Sequence, residues 1–226
     1  MKLIKNIIKT SDGSTTIFLP EIQETYHSRH GAIQEANHVF IKTGLKYIID
    51  YQEKNSLNIL EIGFGTGLNC LMTLLENEKL NIKIDYVAME AFPITSEEVL
   101  QLNYVKELKA PKFERIFEEI HQLSWNQKHA LNSFFSLTKR LEKFENLRDA
   151  NQFDLIYFDA FGARVQPELW TEIIFEKMYK ALKKNGILVT YSAKGSVRRA
   201  MQAVGFQTER LQGPPGKREM LRATKF

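Results

Sequence analysis

A short apolar run that ends in three evenly spaced glycines constrains the fold of this chain more than any other feature. Residues 59–67 read Ile-Leu-Glu-Ile-Gly-Phe-Gly-Thr-Gly, and a helical pattern begins directly afterwards at Leu68. Glycine lets the backbone turn sharply and approach a ligand without a Cβ in the way. The amide groups at the start of the next helix would point at that ligand. The segment therefore predicts a strand, a ligand-binding turn and a helix, the opening unit of an α/β nucleotide-binding fold.

The glycine spacing and two acids indicate which ligand the turn binds. Dinucleotide enzymes usually show G-x-G-x-x-G, whereas Gly63, Gly65 and Gly67 are two residues apart. Glu61 stands before the first glycine, and its carboxylate suits the ammonium group of S-adenosylmethionine. The next predicted strand ends in Glu90, where an acid can accept hydrogen bonds from both ribose hydroxyls. We therefore predict S-adenosylmethionine as the cofactor.

A third acid, Asp159, follows the strongly apolar stretch at 153–158, so it would lie near the cofactor's methyl group. Methyl transfer is an in-line displacement, and an amine nucleophile must lose its proton. We predict that Asp159 is catalytic and takes that proton; the alternative is a helix cap or a supporting residue. The predicted cofactor contacts are Glu61, Gly63, Phe64, Gly65, Thr66, Gly67, Asn69, Glu90 and Asp159.

Short β-type runs at 3–9 and 15–19 predict an N-terminal hairpin, and the periodicity predicts helices at 33–51 and 167–182 and strands at 134–141 and 186–191. Strands that alternate with helices predict a doubly wound parallel sheet. Residues 206–211 and 219–223 predict a closing antiparallel pair, which is typical of class I methyltransferases. The predicted fold class is α/β: a class I S-adenosylmethionine-dependent methyltransferase, Rossmann-like, with a C-terminal antiparallel hairpin and a small N-terminal hairpin and helix extension. We divide the chain into this extension, 1–52, packed on the main domain, and a methyltransferase domain, 53–226.

The composition argues against a disulfide-bonded protein, a metalloprotein and a membrane protein. The single cysteine, Cys70, excludes a disulfide within the chain, and the five histidines show no ligand spacing, so we expect no metal. No apolar run is long enough to span a membrane and the N-terminus has no signal-peptide core, so we expect a cytoplasmic protein without a membrane partner.

Positive charge is concentrated at the C-terminal end. Residues 198–226 hold seven basic and two acidic side chains, a net charge of +5 in a chain whose total is +4. Such an end predicts a phosphate-binding face; the alternatives are a solvated surface, or pairing of Lys217 or Arg218 with a local acid. The predicted contacts with substrate or RNA are Phe161, Tyr191, Ser192, Arg198, Arg199, Lys217 and Arg218.

These segments together resemble one family, the methyltransferase domain of the bacterial tRNA 5-methylaminomethyl-2-thiouridine biosynthesis enzymes (MnmC). The resemblance runs in order over most of residues 24–223, including Tyr26 and the stretch from Glu35 to Phe40. The matching stretches are Gly63-Phe64-Gly65-Thr66-Gly67-Leu68-Asn69, Glu90 with Phe92-Pro93, Asp159-Ala160-Phe161 with Gln166-Pro167-Glu168-Leu169-Trp170, Thr190-Tyr191-Ser192-Ala193, Gly195-Ser196-Val197-Arg198-Arg199, Gly205-Phe206, and Gly213 with Lys217-Arg218-Glu219-Met220-Leu221.

The resemblance implies methylation of the aminomethyl group on a modified wobble uridine, converting 5-aminomethyl-2-thiouridine to 5-methylaminomethyl-2-thiouridine in tRNA. It also implies cofactor contacts at the glycine turn and Glu90, and a catalytic Asp159. The chain stops at Phe226, so we expect the stand-alone form without the oxidase domain, with a separate oxidase acting upstream. The family often places an acid that contacts adenine near the third strand end; residues 135–140 show none, so no adenine contact is assigned.

Other functions stay open at this point. A small-molecule N-methyltransferase or an aminopropyltransferase would use the same fold, and a catalytically silent RNA-binding protein would keep it. An NAD-linked oxidoreductase is disfavoured by the glycine spacing.

Overall fold

The computed structural model describes residues 4–226. Its N-terminal residues form a small antiparallel sheet of three strands. Its strands are β1 (Asn6–Lys9), β2 (Thr15–Leu19) and β3 (Glu24–Thr25). The predicted N-terminal hairpin is therefore confirmed where the structure describes it, and Leu3, predicted as part of its first strand, lies outside the described residues. The third strand was not predicted.

An eight-stranded sheet forms the main body. Its strands are β4 (Ser56–Ile62), β5 (Lys83–Glu90), β6 (Lys128–Ala130), β7 (Phe135–Leu141), β8 (Phe153–Phe158), β9 (Leu182–Thr190), β10 (Gln207–Gln212) and β11 (Glu219–Thr224). They lie in the order β10-β11-β9-β8-β4-β5-β7-β6. The five strands from β9 to β7 run parallel, and the two edges are antiparallel.

The reversal of strand order at β4 positions the site. Strand β4 pairs with β5 on one side and with β8 on the other, although β8 comes much later in the chain. In doubly wound sheets, ligands bind where the order reverses, beyond the carboxyl ends of the strands. Every residue of β8 is buried, as expected for a parallel strand covered on both faces. The predicted α/β class and the C-terminal hairpin are confirmed.

Helices cover both faces of the sheet. A helical segment runs from Ala32 to Gln52, with a π-helical middle at Asn37–Lys46. The later helices are Leu68–Leu80, Ser96–Val99, Tyr104–Glu107, Glu114–Gln122, Glu172–Ala181 and Gly195–Ala203. Short 3-10 turns occupy Pro111–Phe113, Phe144–Asn146 and Pro167–Trp170.

Two predicted boundaries are wrong. The helix predicted over 167–182 is a 3-10 turn followed by a helix from Glu172, because Thr171 has an extended backbone with φ −97° and ψ 164°. The strand predicted at 186–191 begins earlier, at Leu182, and ends at Thr190. The helix predicted from 33 to 51 is confirmed. The domain division at residue 52 stays a prediction.

The N-terminal helical segment packs on the parallel sheet through Gly44. A Cβ at this position would lie 3.0 Å from Val189 Cγ2 and 3.2 Å from Tyr157 Cε1, so the helix backbone approaches β8 and β9 closely.

In the described part of the chain, no helix is both long and apolar enough to cross a membrane.

Replacing Gly44 with Leu should destabilise the fold by about 1–3 kcal/mol, because the added side chain must displace Val189 or Tyr157 in a packed core. The control is Lys42→Leu, which adds bulk at an exposed position of the same segment. Urea unfolding of both variants measures the difference. Equal stability of the two variants would show that this contact does not hold the helix on the sheet.

Candidate active site

A cleft of about 340 Å³ lies beyond the carboxyl ends of β4, β5 and β8. Its volume is in the range of small-molecule sites, roughly 300 to 1,000 Å³. The predicted residues that line it are Gly63, Phe64, Gly65, Thr66, Asn69, Glu90, Asp159 and Phe161. Residues that the sequence placed in three separate motifs therefore share one cleft.

The glycine turn needs glycine for two physical reasons. The φ angles of Gly63, Gly65 and Gly67 are 92°, 49° and 73°, a region that side chains with a Cβ rarely adopt. A Cβ on Gly63 would also lie 2.7 Å from the backbone oxygen of Asp159. The turn after β4 thus packs directly on the backbone after β8, which brings the two strand ends together.

Glu90 fixes the turn from the end of β5. Its carboxylate accepts a hydrogen bond from Gly65 N–H at 3.0 Å and another from Phe92 N–H at 2.8 Å. The two bonds use different oxygens, and each oxygen can accept a second bond. Glu90 can therefore hold the glycine turn and still accept hydrogen bonds from a ligand's hydroxyl groups.

One amide joins the buried Glu61 to the partly buried Asp159. Asn69 Nδ2 donates to Glu61 Oε1 at 3.0 Å and to Asp159 Oδ2 at 2.9 Å. Burial raises the pKa of Asp159 to about 7, and the charge of Glu35 adds to this effect. Burial also raises the pKa of Glu61 well above its usual range, with the charge of Asp159 contributing. Asp159 is therefore poised to exchange a proton near neutral pH.

The residues present fit S-adenosylmethionine. The side chain of Asn69 is 2% exposed, and its Oδ1 has no hydrogen-bond partner among the described residues. Asn69 lines the cleft beside the glycine turn, and this buried oxygen is an unpartnered acceptor. A ligand that brings a hydrogen-bond donor, such as an ammonium group, would satisfy it.

Other predicted residues lie outside the cleft lining. Glu61 is fully buried behind Asn69, and Gly67 caps the helix Leu68–Leu80. Tyr191 donates its hydroxyl to the Ala160 carbonyl at 2.8 Å, and Ser192 is buried. The exposed cations Arg199 and Arg218, the partly buried Arg198, and Lys217, whose ammonium pairs with Glu35, are likewise not among the lining residues.

Several lining residues were missed from the sequence. Tyr26 and His27 reach the cleft from the N-terminal extension, and Phe92 follows Glu90. Residues 135–140, where the acid that contacts adenine was expected, lie within β7, whose end at Leu141 agrees with the strand predicted at 134–141. The residues after that end, Lys143, Phe144 and Glu145, do line the cleft. The expected contact was therefore placed within the strand and not in the residues that follow it. The remaining lining residues are Leu68, Ala91, Ala160, Gln166, Glu168 and Leu169.

The described residues contain no cluster of side chains that could bind a metal ion. Among residues 4–226, no three His, Cys, Asp or Glu side chains are placed to hold a metal ion together.

A model of the S-adenosyl-L-methionine-dependent methyltransferase family matches residues 101–226, more than half of the chain. The chain belongs to this family. The match contains Asp159, whereas the glycine turn, Glu61 and Glu90 lie before its first residue. Those earlier features indicate the same cofactor independently. Membership makes S-adenosylmethionine the cofactor and methyl transfer the reaction class.

Curated relatives carry a more specific name. The tRNA 5-methylaminomethyl-2-thiouridine biosynthesis bifunctional protein MnmC of Actinobacillus pleuropneumoniae serotype 5b is 28% identical over 224 residues, covering 89% of this chain and 32% of the relative. The MnmC protein of Burkholderia thailandensis is 26% identical over 219 residues, covering 91% and 33%. The chain thus spans about a third of the length of these relatives.

Solved structures agree on the fold. The crystal structure of MnmC2 from Aquifex aeolicus matches with a TM-score of 0.78 and 23% identity, over 98% of this chain and 70% of that one. Spermidine synthase from Thermotoga maritima matches with a TM-score of 0.54 and 15% identity, over 100% and 74%. At these identities, the likeness supports the class I fold alone.

Replacing Gly63 with Ala should weaken binding of S-adenosylhomocysteine at least about tenfold, because the new Cβ would meet the Asp159 carbonyl and the backbone would be strained by roughly 1–3 kcal/mol. Calorimetric titration measures the affinity. Gly162→Ala is the control, since its Cβ would find no atom closer than 3.6 Å. Equal affinity of the two variants would contradict the assigned role of the turn.

Proposed function

We propose that this chain transfers a methyl group from S-adenosylmethionine to the aminomethyl group of a modified wobble uridine in tRNA, converting 5-aminomethyl-2-thiouridine to 5-methylaminomethyl-2-thiouridine. The observation that carries the chemistry is Asp159, a partly buried carboxyl at the cleft with a pKa of about 7. The names of the relatives that match most of the chain support the substrate. We also propose a cytoplasmic location, since the substrate is tRNA. A separate upstream oxidase stays a prediction.

Asp159 has two tasks in this proposal. S-adenosylmethionine, when bound, supplies a methyl carbon activated by a sulfonium. With the methyl carbon supplied in this way, Asp159 Oδ1 or Oδ2 would take the surplus proton of the substrate amine as the amine is methylated. Asn69 holds Oδ2 at 2.9 Å, so the carboxylate keeps one orientation toward the incoming amine.

The cofactor contacts follow from the geometry. The backbone amides of the glycine turn and the open Asn69 Oδ1 are proposed to bind the amino-acid end. Glu90 is proposed to accept the ribose hydroxyls with the lone pairs that Gly65 and Phe92 leave free. Glu61 acts on the cofactor through Asn69, because it does not itself line the cleft.

A basic rim is proposed to bind the tRNA backbone. Arg198 and Arg199 lie on the helix Gly195–Ala203, which starts just after β9 ends at the site edge of the sheet. Arg218 lies in the turn between β10 and β11 and is exposed. Phe161, Tyr191 and Ser192 lie between this rim and Asp159 along the chain, and are proposed to face the target nucleoside.

The test of the function is radiolabelled methyl transfer to tRNA from cells that lack this modification. The proposal predicts incorporation at the wobble uridine, with none into fully modified tRNA. Transfer to a diamine but not to tRNA would instead favour a small-molecule N-methyltransferase. Cofactor binding without transfer to any substrate would favour a silent RNA-binding protein.

Replacing Asp159 with Asn should lower kcat by roughly 10²-fold or more, because the amide keeps the size of the carboxyl but cannot take the proton. Single-turnover assays measure the rate, and calorimetry with S-adenosylhomocysteine measures binding, which should change little. Near wild-type turnover would mean that Asp159 only orients groups and that the proton leaves to solvent.

Replacing Arg199 and Arg218 together with Ala should weaken tRNA binding and flatten its dependence on salt, by about one unit of slope for each lost phosphate contact. Filter binding over a salt series measures the slope. The control pair is Lys177→Ala with Lys184→Ala, which removes the same charge near the start of β9. Equal slopes in both double variants would place the RNA-binding face elsewhere.

A further inference from the structure

An ion pair lies near Asp159, outside the residues that line the cleft. We call Asp159 and the groups around it the reaction centre. Lys217, in the turn between β10 and β11, places its Nζ 2.5 Å from Glu35 Oε1 on the N-terminal helical segment. The Glu35 side chain is 7% exposed and that of Lys217 is 31% exposed. The second oxygen of Glu35 accepts the Ser28 N–H at 2.7 Å. Both carboxylate oxygens are therefore occupied, and the pair joins segments 182 residues apart in the chain.

The same ammonium connects to the residue after Asp159. Lys217 Nζ lies 3.7 Å from the centre of the Tyr191 ring, a close cation–π contact. The Tyr191 hydroxyl donates to the Ala160 carbonyl at 2.8 Å. A continuous set of contacts thus runs from the ion pair through Tyr191 to the backbone that carries Asp159.

The two charges act on Asp159 in opposite directions. Glu35 raises the pKa of the Asp159 carboxyl, and Lys217 lowers it. Two other groups near Asp159 carry no charge at neutral pH. His27 is neutral because burial lowers its pKa to about 4, and Asn69 is an amide that donates a hydrogen bond to the carboxylate. Glu61 and Tyr191 are further titratable neighbours, and Glu90, Lys143, Glu145 and Glu168 line the same cleft. The ion pair of Lys217 and Glu35 therefore acts on the Asp159 carboxyl with two opposed effects.

We propose that the Lys217–Glu35 ion pair is a positioning element of the reaction centre, which orients Asp159 through Tyr191 and balances its charge. It rests on the proposed role of Asp159 as the base. It assigns Lys217 to the reaction centre and leaves phosphate binding to the exposed Arg199 and Arg218.

The test is the pH dependence of single-turnover methyl transfer to undermodified tRNA by Glu35→Gln, Lys217→Met and the double variant. Loss of the Glu35 charge should move the acid limb of the profile to lower pH, and loss of the Lys217 charge should move it to higher pH. Each shift should be about half a pH unit or more. The double variant should lie between the two single variants, since both charges are gone.

Lys217→Arg is the conservative variant, and it guards against a folding defect in Lys217→Met. It keeps the positive charge, so its acid limb should stay at the wild-type position. Filter binding supplies a second readout: the salt slope for tRNA should be unchanged in Lys217→Met, in contrast to the Arg199 and Arg218 double variant.

Two results would overturn the inference. The first is an acid limb that does not move in the Glu35 and Lys217 single variants. The second is a flatter salt slope in Lys217→Met, which would make Lys217 a phosphate contact. Different results would contradict the proposed role of Asp159: a wild-type pH profile without an acid limb, or full turnover by Asp159→Asn. Either result would also remove the basis of this inference.

Discussion

The hydrogen bonds from the Asn69 amide to one buried and one partly buried carboxyl are the interaction on which this site depends. Glu61 is the last residue but one of β4, Asp159 follows β8, and Asn69 is the second residue of the helix that follows the glycine turn. Two acids so close together and out of water are costly to ionise, and the shared amide offsets only part of that cost. The result is a pair of carboxyls with raised pKa values, held in place by the core of the fold.

The glycine turn makes this arrangement possible. Since Gly63 has no Cβ, the turn after β4 can lie against the Asp159 carbonyl, and Asp159 N–H donates to the Ile62 carbonyl at 2.9 Å. Glu90 then ties the turn to β5. Three strand ends are thereby fixed around one cleft before any ligand binds, which is the preorganisation that an in-line transfer needs. The N-terminal extension completes the wall with Tyr26 and His27.

The sequence predicts the centre of this site better than its surroundings. In a parallel sheet, the carboxyl ends of neighbouring strands meet at one edge, so the apolar runs before Glu61, Glu90 and Asp159 already predict that these acids converge. The partner of Lys217 has no such local signal: Glu35 is 182 residues away and is brought near by the packing of the N-terminal helical segment. The cleft residues after β7 were missed although that strand was predicted at 134–141, because the expected acid was placed within the strand, at 135–140, and not after its end. Lys139 is only 1% exposed, and a buried lysine within a strand is not expected from residue type.

The most direct test of this account is a ¹³C NMR pH titration of the Asp159 carboxyl in the ligand-free protein, with the resonance assigned by its loss in Asp159→Asn. The buried, amide-bridged arrangement predicts an apparent pKa of about 7, with a response to the ionisation of the neighbouring Glu61. A carboxyl that titrates near the ordinary aspartate value of about 4 would contradict it. Asp159 would then already be charged at neutral pH, and the raised basicity assigned to it would be absent.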